Sequence, residues 1–465
     1  MNIKRKSFIR KSDSYKIGHW RQYPPGTTTI ASFFESRGGV FPEVTFFGLQ
    51  YILKRHFEGK VVTKKDIAEA KRYFKRHFGN ATLFNEAGWR RIVEVHGGRL
   101  PLVIHALPEG TTVPTRNVLI TVENTDPELP WLTNYAETIL SQVWYPLTVA
   151  TQSRYMQKLI EKYLEETGDP SLISFKLHDF GYRGSTSDES AGIGGAAHLV
   201  NFRGTDNLSA IDVVADYYGE EMAGFSIPAS EHSTMTSWGR DHEEDAYRNM
   251  LAVFPKGLIS VVSDSYDIFH ACKNIWGKSL KNEVLDRDGV LVIRPDSGHP
   301  VKVVLRVVKI LGKAFGTTLN DKGYKMLHPK IRIIQGDGID CVMLEKILEA
   351  MKKAGWSADN IAFGSGGGLL QKVNRDTEKC AFKCSAAERE GIWRDVKKDP
   401  ITDHGKVSKA GRLALVKFIH EDGEEYRTVR EEEMDAMQNE LITVFKNGKI
   451  LIDQTFAEIR KRAAQ

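Results

Sequence analysis

The sequence predicts an α/β fold: an irregular α/β barrel of about seven strands, with a second, β-rich domain that is discontinuous along the chain. Three observations predict it. Apolar, β-rich runs repeatedly end in polar clusters. Helix-like segments lie between several of these runs, the pattern of a parallel sheet. After residue 376 the alternation stops and strand-like runs follow one another.

Before the barrel, residues 27–34 read as a strand after the Pro24-Pro25-Gly26 turn, and two helical stretches fall within residues 46–95. Residues 97–124 turn β-like, and residues 130–166 are apolar at helical spacing. The barrel strands then follow. Residues 173–177 run into His178-Asp179-Phe180-Gly181, and 199–202 into Arg203-Gly204-Thr205-Asp206. Residues 225–227 run into Pro228-Ala229-Ser230-Glu231-His232, and 258–262 into Ser263-Asp264. Residues 290–293 run into Arg294-Pro295-Asp296, and 331–334 into Gln335-Gly336-Asp337-Gly338. The seventh run, 361–363, enters Gly364-Ser365-Gly366-Gly367-Gly368. Residues 301–315 and 340–355 are the clearest intervening helices. Strands near 382–385, 413–418 and 441–445 and a helix at 455–462 complete the chain. The expected division is a barrel over residues 136–384, with an N-terminal arm 1–34 serving a dimer site, and a second domain from 35–135 plus 385–465.

Bulk composition narrows the function. With 41% hydrophobic and 27% charged residues, the chain has the profile of a soluble globular enzyme. A net charge of +5 over 465 residues is too mild to argue for nucleic acid. No apolar run is long enough for a membrane span, and the basic N-terminus lacks the apolar core of a secretory signal. Cys272, Cys341, Cys380 and Cys384 suit reduced thiols, so a cytoplasmic location is expected.

Polar residues at the C-terminal ends of barrel strands mark the functional face. The glycine-rich turn lets backbone N–H groups approach an anion, and glycines there take φ > 0 freely; alone, it reads equally well as a tight strand-to-helix connection. Arginines beside it suit phosphate and pyrophosphate, and carboxylates suit Mg²⁺. No H-E-x-x-H, cysteine-rich zinc pattern or G-x-S-x-G elbow is present. A phosphorylated sugar or nucleotide substrate follows. His232, just past a strand, suits general acid–base work or phosphate transfer, and Asp264 is the candidate to orient it. Phe180 suits stacking on a flat ring. Locally, Asp13 reads as a helix cap and Tyr15 as packing.

Several longer motifs stand in one order: Asp13-Ser14-Tyr15-Lys16, residues 178–184 (HDFGYRG), Ala191-Gly192-Ile193-Gly194, Glu231-His232-Ser233-Thr234, residues 263–267 (SDSYD), residues 293–298 (IRPDSG), Gln335-Gly336-Asp337-Gly338 and residues 363–368 (FGSGGG). Together they resemble the nicotinamide phosphoribosyltransferase family, from about residue 12 to residues 446–461. The resemblance implies transfer of the 5-phosphoribosyl group of phosphoribosyl pyrophosphate to nicotinamide, in NAD salvage. It implies Mg²⁺, ATP as co-substrate through a phosphorylated His232, and a homodimer with shared active sites. It assigns the ring to Phe180 and to Tyr15 of the other subunit, with Asp13 beside it. Arg183 lines the pocket, and Arg294, Asp296, Gly336 and Asp337 serve ribose, phosphate and pyrophosphate, with Asp296 and Asp337 near the metal. Gly366, Gly367 and Arg375 serve the 5-phosphate, and Arg37 a pyrophosphate or ATP contact.

Asp206 carries the specificity argument. A carboxylate accepts a hydrogen bond from the amide of nicotinamide and repels the charge of nicotinate. One departure is the short segment between Arg37 and Phe46, where animal members carry a longer charged insertion. The rivals are a nicotinate or quinolinate enzyme of the same fold, an aldolase using Lys176 as a Schiff base, and a non-enzymatic interaction protein.

Overall fold

Strand Thr27–Ser36 is built from β-branched and aromatic residues and is fully buried from Ile30 onward. It pairs antiparallel with Cys380–Arg389 on one side and Val118–Asn124 on the other, so Phe34 faces Phe382 and Ile120. Around it lies a seven-stranded sheet in the order Ile392–Asp395, Cys380–Arg389, Thr27–Ser36, Val118–Asn124, Leu102–Ala106, Ile442–Lys446, Lys449–Ile450. Segments distant in sequence are therefore neighbours in one sheet, as a discontinuous β-rich region requires. This computed structural model describes residues 7–80, 82–402, 407–421, 423–434 and 437–465. Residues 1–6 of the expected arm lie outside them.

Two compact units divide the chain. One comprises Met1–Thr151, Tyr217–Gly219 and Asn374–Gln465; the other comprises Gln152–Asp216 and Glu220–Val373. The units change over at 151/152 and 373/374, where 136 and 384 were expected, and residues 7–34 of the expected arm fall in the unit with the antiparallel sheet.

The second unit holds a six-stranded parallel sheet in the order Gly204–Thr205, Leu177–Asp179, Ile361–Ser365, Ile331–Gln335, Asp288–Arg294, Lys256–Val262. Its two outer strands are bridged by one segment: Phe225 pairs with Gly204, and Ala229 with Ser260, both parallel. Interior positions are apolar, with Ile333 in register with both Ile361 and Ile293. Helix Pro300–Phe315 starts on a proline suited to its first turn, buries Val303, Val304, Val307, Val308 and Leu311, and stops at Gly316 with φ 90°. Helix Cys341–Lys353 is capped by Asp340, which accepts from Met343 N at 3.0 Å.

Of the expected barrel strands, 225–227 is no strand but a single bridge residue, Phe225, and two others moved. Residues 170–175 form a 3₁₀ turn, because Pro170 sits at its first position and Asp169 caps Ser171 N at 2.9 Å; the strand is Leu177–Asp179. Residues 199–202 close helix Asp188–Leu199, which Ser187 caps, and the strand is Gly204–Thr205. The shift carries the polar clusters with it, so Phe180 and Asp206 still follow strand ends.

Candidate active site

The C-terminal ends of the parallel strands surround a cavity of about 710 Å³. Of the residues singled out above, it is lined by Phe180, Arg183, Asp206, His232, Arg294, Asp296, Gly336, Asp337, Gly366 and Gly367. Asp13, Tyr15, Arg37 and Arg375 are not among its lining; they belong to the unit with the antiparallel sheet.

His232 opens a short helix, His232–Thr236, and its Nε2 lies 3.0 Å from Asp264 Oδ1. Nδ1 lies 4.0 Å from Asp296 Oδ2. The Asp264 side chain is buried, and its second oxygen accepts from Asp296 N at 3.1 Å and Ser297 Oγ at 2.5 Å. Asp264 thus holds the imidazole while its other oxygen fixes the next strand end. A carboxylate bonded to one ring nitrogen settles which nitrogen carries the proton.

Burial raises the Asp296 carboxyl above its ordinary range; Arg294 opposes the rise, and the charges of Asp264 and Asp337 add to it. Arg294 Nη2 lies 3.5 Å from Asp296, while Arg294 Nε is buried without a hydrogen-bond partner among the described residues. The part-exposed guanidinium on the cavity wall suits an anionic substrate group.

Phe180 lies over the strand ends, its N–H donating to Ser365 O at 3.0 Å. The glycines around it are required by space. A Cβ on Gly364 would stand 1.9 Å from the Phe180 ring, and one on Gly368 2.2 Å from Ile339 O. Gly364, Gly366, Gly367 and Gly368 all lie outside the left-handed region, so the φ > 0 expectation for this turn is corrected: Gly364 and Gly368 clear room, and Gly366 takes an irregular backbone at φ −108° and ψ −94°. Asp206 is exposed to the cavity and accepts a short hydrogen bond from Ser226 Oγ.

Lys176, the Schiff-base candidate, is buried and its ammonium is pulled down to about 7 by that burial. Nζ donates to the carbonyls of Ala358, Asp359 and Ile361 at 2.9 to 3.1 Å. All three N–H directions are used, which removes the aldolase reading. The cavity also includes Glu231, Ser233 and Lys372, which had no assigned role. Lys372 stands at the end of the glycine-rich stretch, and that position was the available signal.

Phe180, Asp206, two arginines and glycine turns thus meet around one cavity at parallel strand ends, a set whose chemistry suits a flat heterocycle and phosphates. The sequence profile described as the nicotinate phosphoribosyltransferase (NAPRTase) family matches residues 175–449, and that of the nicotinamide phosphoribosyltransferase N-terminal domain matches residues 7–104. A nicotinamide phosphoribosyltransferase of Xanthomonas campestris is 50% identical, over 98% of both chains. One of Acinetobacter baylyi is 33% identical, over 97% of this chain and 96% of its own. The chain belongs to the nicotinamide phosphoribosyltransferase family. The crystal structure of nicotinate-nucleotide pyrophosphorylase from Pyrococcus furiosus shares the fold at TM-score 0.62 and 14% identity, covering 100% of this chain and 97% of that one. Human nicotinic acid phosphoribosyltransferase shares it at 0.55 and 15%, covering 97% and 91%.

Proposed function

We propose that the protein transfers the 5-phosphoribosyl group of phosphoribosyl pyrophosphate to nicotinamide, giving nicotinamide mononucleotide and pyrophosphate. The observation that carries this reading is the placement of Asp206 and Phe180 on one cavity wall. The ring stacks on Phe180 and its amide N–H donates to Asp206; nicotinate would set a second negative charge against that carboxylate. The pyridine nitrogen then bonds to the ribose anomeric carbon as the bond to pyrophosphate breaks. Asp296 faces the positive charge that develops on the sugar, and Arg294 and Arg183 hold anionic oxygens. Backbone N–H groups at Gly366 and Gly367 receive the 5-phosphate, with Arg375 assigned to the same group.

Magnesium fits this donor set. Asp296 and Asp337 interact electrostatically on the cavity wall, and no cluster of three or more ligating side chains occurs among the described residues. That suits an ion held partly by substrate oxygens. When bound, it neutralises charge on the pyrophosphate leaving group.

ATP coupling runs through His232. With Nε2–H donated to Asp264, Nδ1 carries the lone pair that bonds to the terminal phosphorus of ATP as ADP leaves. His232→Ala should lose phosphoenzyme and ATP stimulation while keeping ATP-independent transfer.

The chain acts as a homodimer in this reading. Tyr15 is 64% exposed beside the exposed Asp13, leaving an aromatic face free to cover the ring in a partner's site. Arg37 serves pyrophosphate or ATP there. Mixing Tyr15→Ala with Phe180→Ala chains tests this: a mixed dimer holds one site with both rings intact, so activity should return. We read the parallel sheet with its bridging segment as the irregular barrel of about seven strands, the antiparallel sheet as the β-rich domain, and the enzyme as cytoplasmic. No helix among the described residues is long and apolar enough to cross a membrane.

The transfer itself is tested by mass spectrometry after incubation with nicotinamide, phosphoribosyl pyrophosphate and Mg²⁺. Nicotinamide mononucleotide should accumulate; its absence, with nicotinate mononucleotide formed instead when that acid is supplied, would install the nicotinate reading.

A further inference from the structure

Phe180 and Asp206 leave adjacent parallel strands, and each is followed by a residue gripped from below by one side chain. That side chain is Asp179, which is fully buried. Its Oδ1 accepts from Gly181 N at 2.7 Å, and its Oδ2 accepts from Asn207 Nδ2 at 2.9 Å. Gly181 follows Phe180 and Asn207 follows Asp206, so a single carboxylate ties down both ring-binding loops at their next residue. The backbone tie between them is Asp206 N to Asp179 O at 3.0 Å.

The far end of the bridge is fixed as well. Asn207 Nδ2 also donates to Ala191 O at 2.9 Å, and Asn207 N donates to Thr205 Oγ1 at 3.0 Å. Turning the amide over would set its oxygen against two acceptors, so its orientation is determined. Asn207 Oδ1 is buried with no partner among the described residues. Helix Asp188–Leu199 leaves room for the pair: a Cβ on Gly195 would stand 2.6 Å from Asn207 Nδ2 and 2.8 Å from Asp179 Oδ2.

We propose that the buried Asp179–Asn207 bridge is a positioning device for acceptor recognition: it sets the distance between the Phe180 ring and the Asp206 carboxylate, and so the affinity for a pyridine carboxamide. This rests on the proposed nicotinamide reading of the site. Neither Asp179 nor Asn207 touches substrate; both act through their neighbours. Arg294 and the glycine turns that serve phosphates lie on other strand ends and are not held by this bridge; Arg183 alone among these groups follows the same strand, two residues beyond Gly181.

The test separates the two substrates. Asp179→Asn keeps the shape but turns a donor toward Asn207 Nδ2 if Gly181 N stays bonded. The Michaelis constant for nicotinamide should rise about tenfold while that for phosphoribosyl pyrophosphate stays within about twofold. Asn207→Ser, which withdraws the amide from the other side without adding bulk, should give the same split. Melting curves on both variants identify any loss of fold. Constants that rise together, or an unchanged nicotinamide constant in either folded variant, overturn the proposal. Wild-type enzyme run alongside keeps the layers apart: if it forms product only from nicotinate, the functional reading falls and the carboxamide role falls with it. If it forms nicotinamide mononucleotide and the variants show no split, only the positioning role falls.

Discussion

Replacing Asp264 with asparagine changes one oxygen to an amino group and leaves the shape of the side chain. In the native site three donors converge on this carboxylate: His232 Nε2 at 3.0 Å, Asp296 N at 3.1 Å and Ser297 Oγ at 2.5 Å. An amide offers one acceptor oxygen. If that oxygen keeps the two contacts on the Asp296 side, the new amino group faces His232 Nε2, which must then accept. The ring proton moves to Nδ1, and the lone pair needed for phosphate transfer is lost. A hydrogen bond to a charged group contributes about 1.5 to 3 kcal/mol, so its loss corresponds to roughly a 10- to 150-fold fall in the ATP-dependent part of the rate. Transfer without ATP depends on other groups and should stay within about threefold. The assay is the initial rate of nicotinamide mononucleotide formation with and without ATP, with intact-protein mass spectrometry for the phosphoenzyme. Undiminished ATP stimulation in a folded Asp264→Asn enzyme would refute the orienting role.

Asp206→Ser removes the charge that opposes nicotinate, so the preference for nicotinamide should fall by about 10- to 100-fold in the ratio of kcat/KM values; an unchanged ratio counts against the specificity argument. Gly364→Ala places a methyl group 1.9 Å from the native Phe180 ring position, and thermal unfolding should show a loss of about 1–3 kcal/mol together with weakened nicotinamide binding. Glu378 is buried, accepts from Phe41 N at 3.3 Å, and is pushed up by burial to about 7. Its folded value lies above its unfolded one, so the wild type gains stability as pH falls from about 7 towards 4.5, and above 7 the cost of the charge is constant. Glu378→Gln should therefore be more stable than wild type at pH 8 by about 1–3 kcal/mol, with the gap closing by pH 5 in denaturant titrations.

The parallel strands were legible because each is a buried apolar run that must end where polar function begins. The runs at 258–262, 290–293, 331–334 and 361–363 lie within observed strands. The runs at 173–177 and 199–202 misled because apolar residues also fill the 3₁₀ turn at Pro170–Phe175 and the end of helix Asp188–Leu199, and composition alone does not separate these from a strand. His232 and Asp264 could be nominated from their strand ends, but their 3.0 Å contact joins residues 32 apart and depends on strand order. The Asp179–Asn207 bridge was invisible for the same reason. Asp179 sits in a motif beside more conspicuous residues, and its partner is set by which strands pair. The roles of Asp13, Tyr15, Arg37 and Arg375 came from family resemblance, since no local pattern links them to the cavity.

The measurement that bears most directly on the account is a competition between equal concentrations of nicotinamide and nicotinate, with phosphoribosyl pyrophosphate and Mg²⁺, run with and without ATP and resolved by chromatography. Nicotinamide mononucleotide should form almost exclusively, and faster when ATP is present. A preference for nicotinate mononucleotide would contradict the role given to Asp206 and, with it, the proposed reaction.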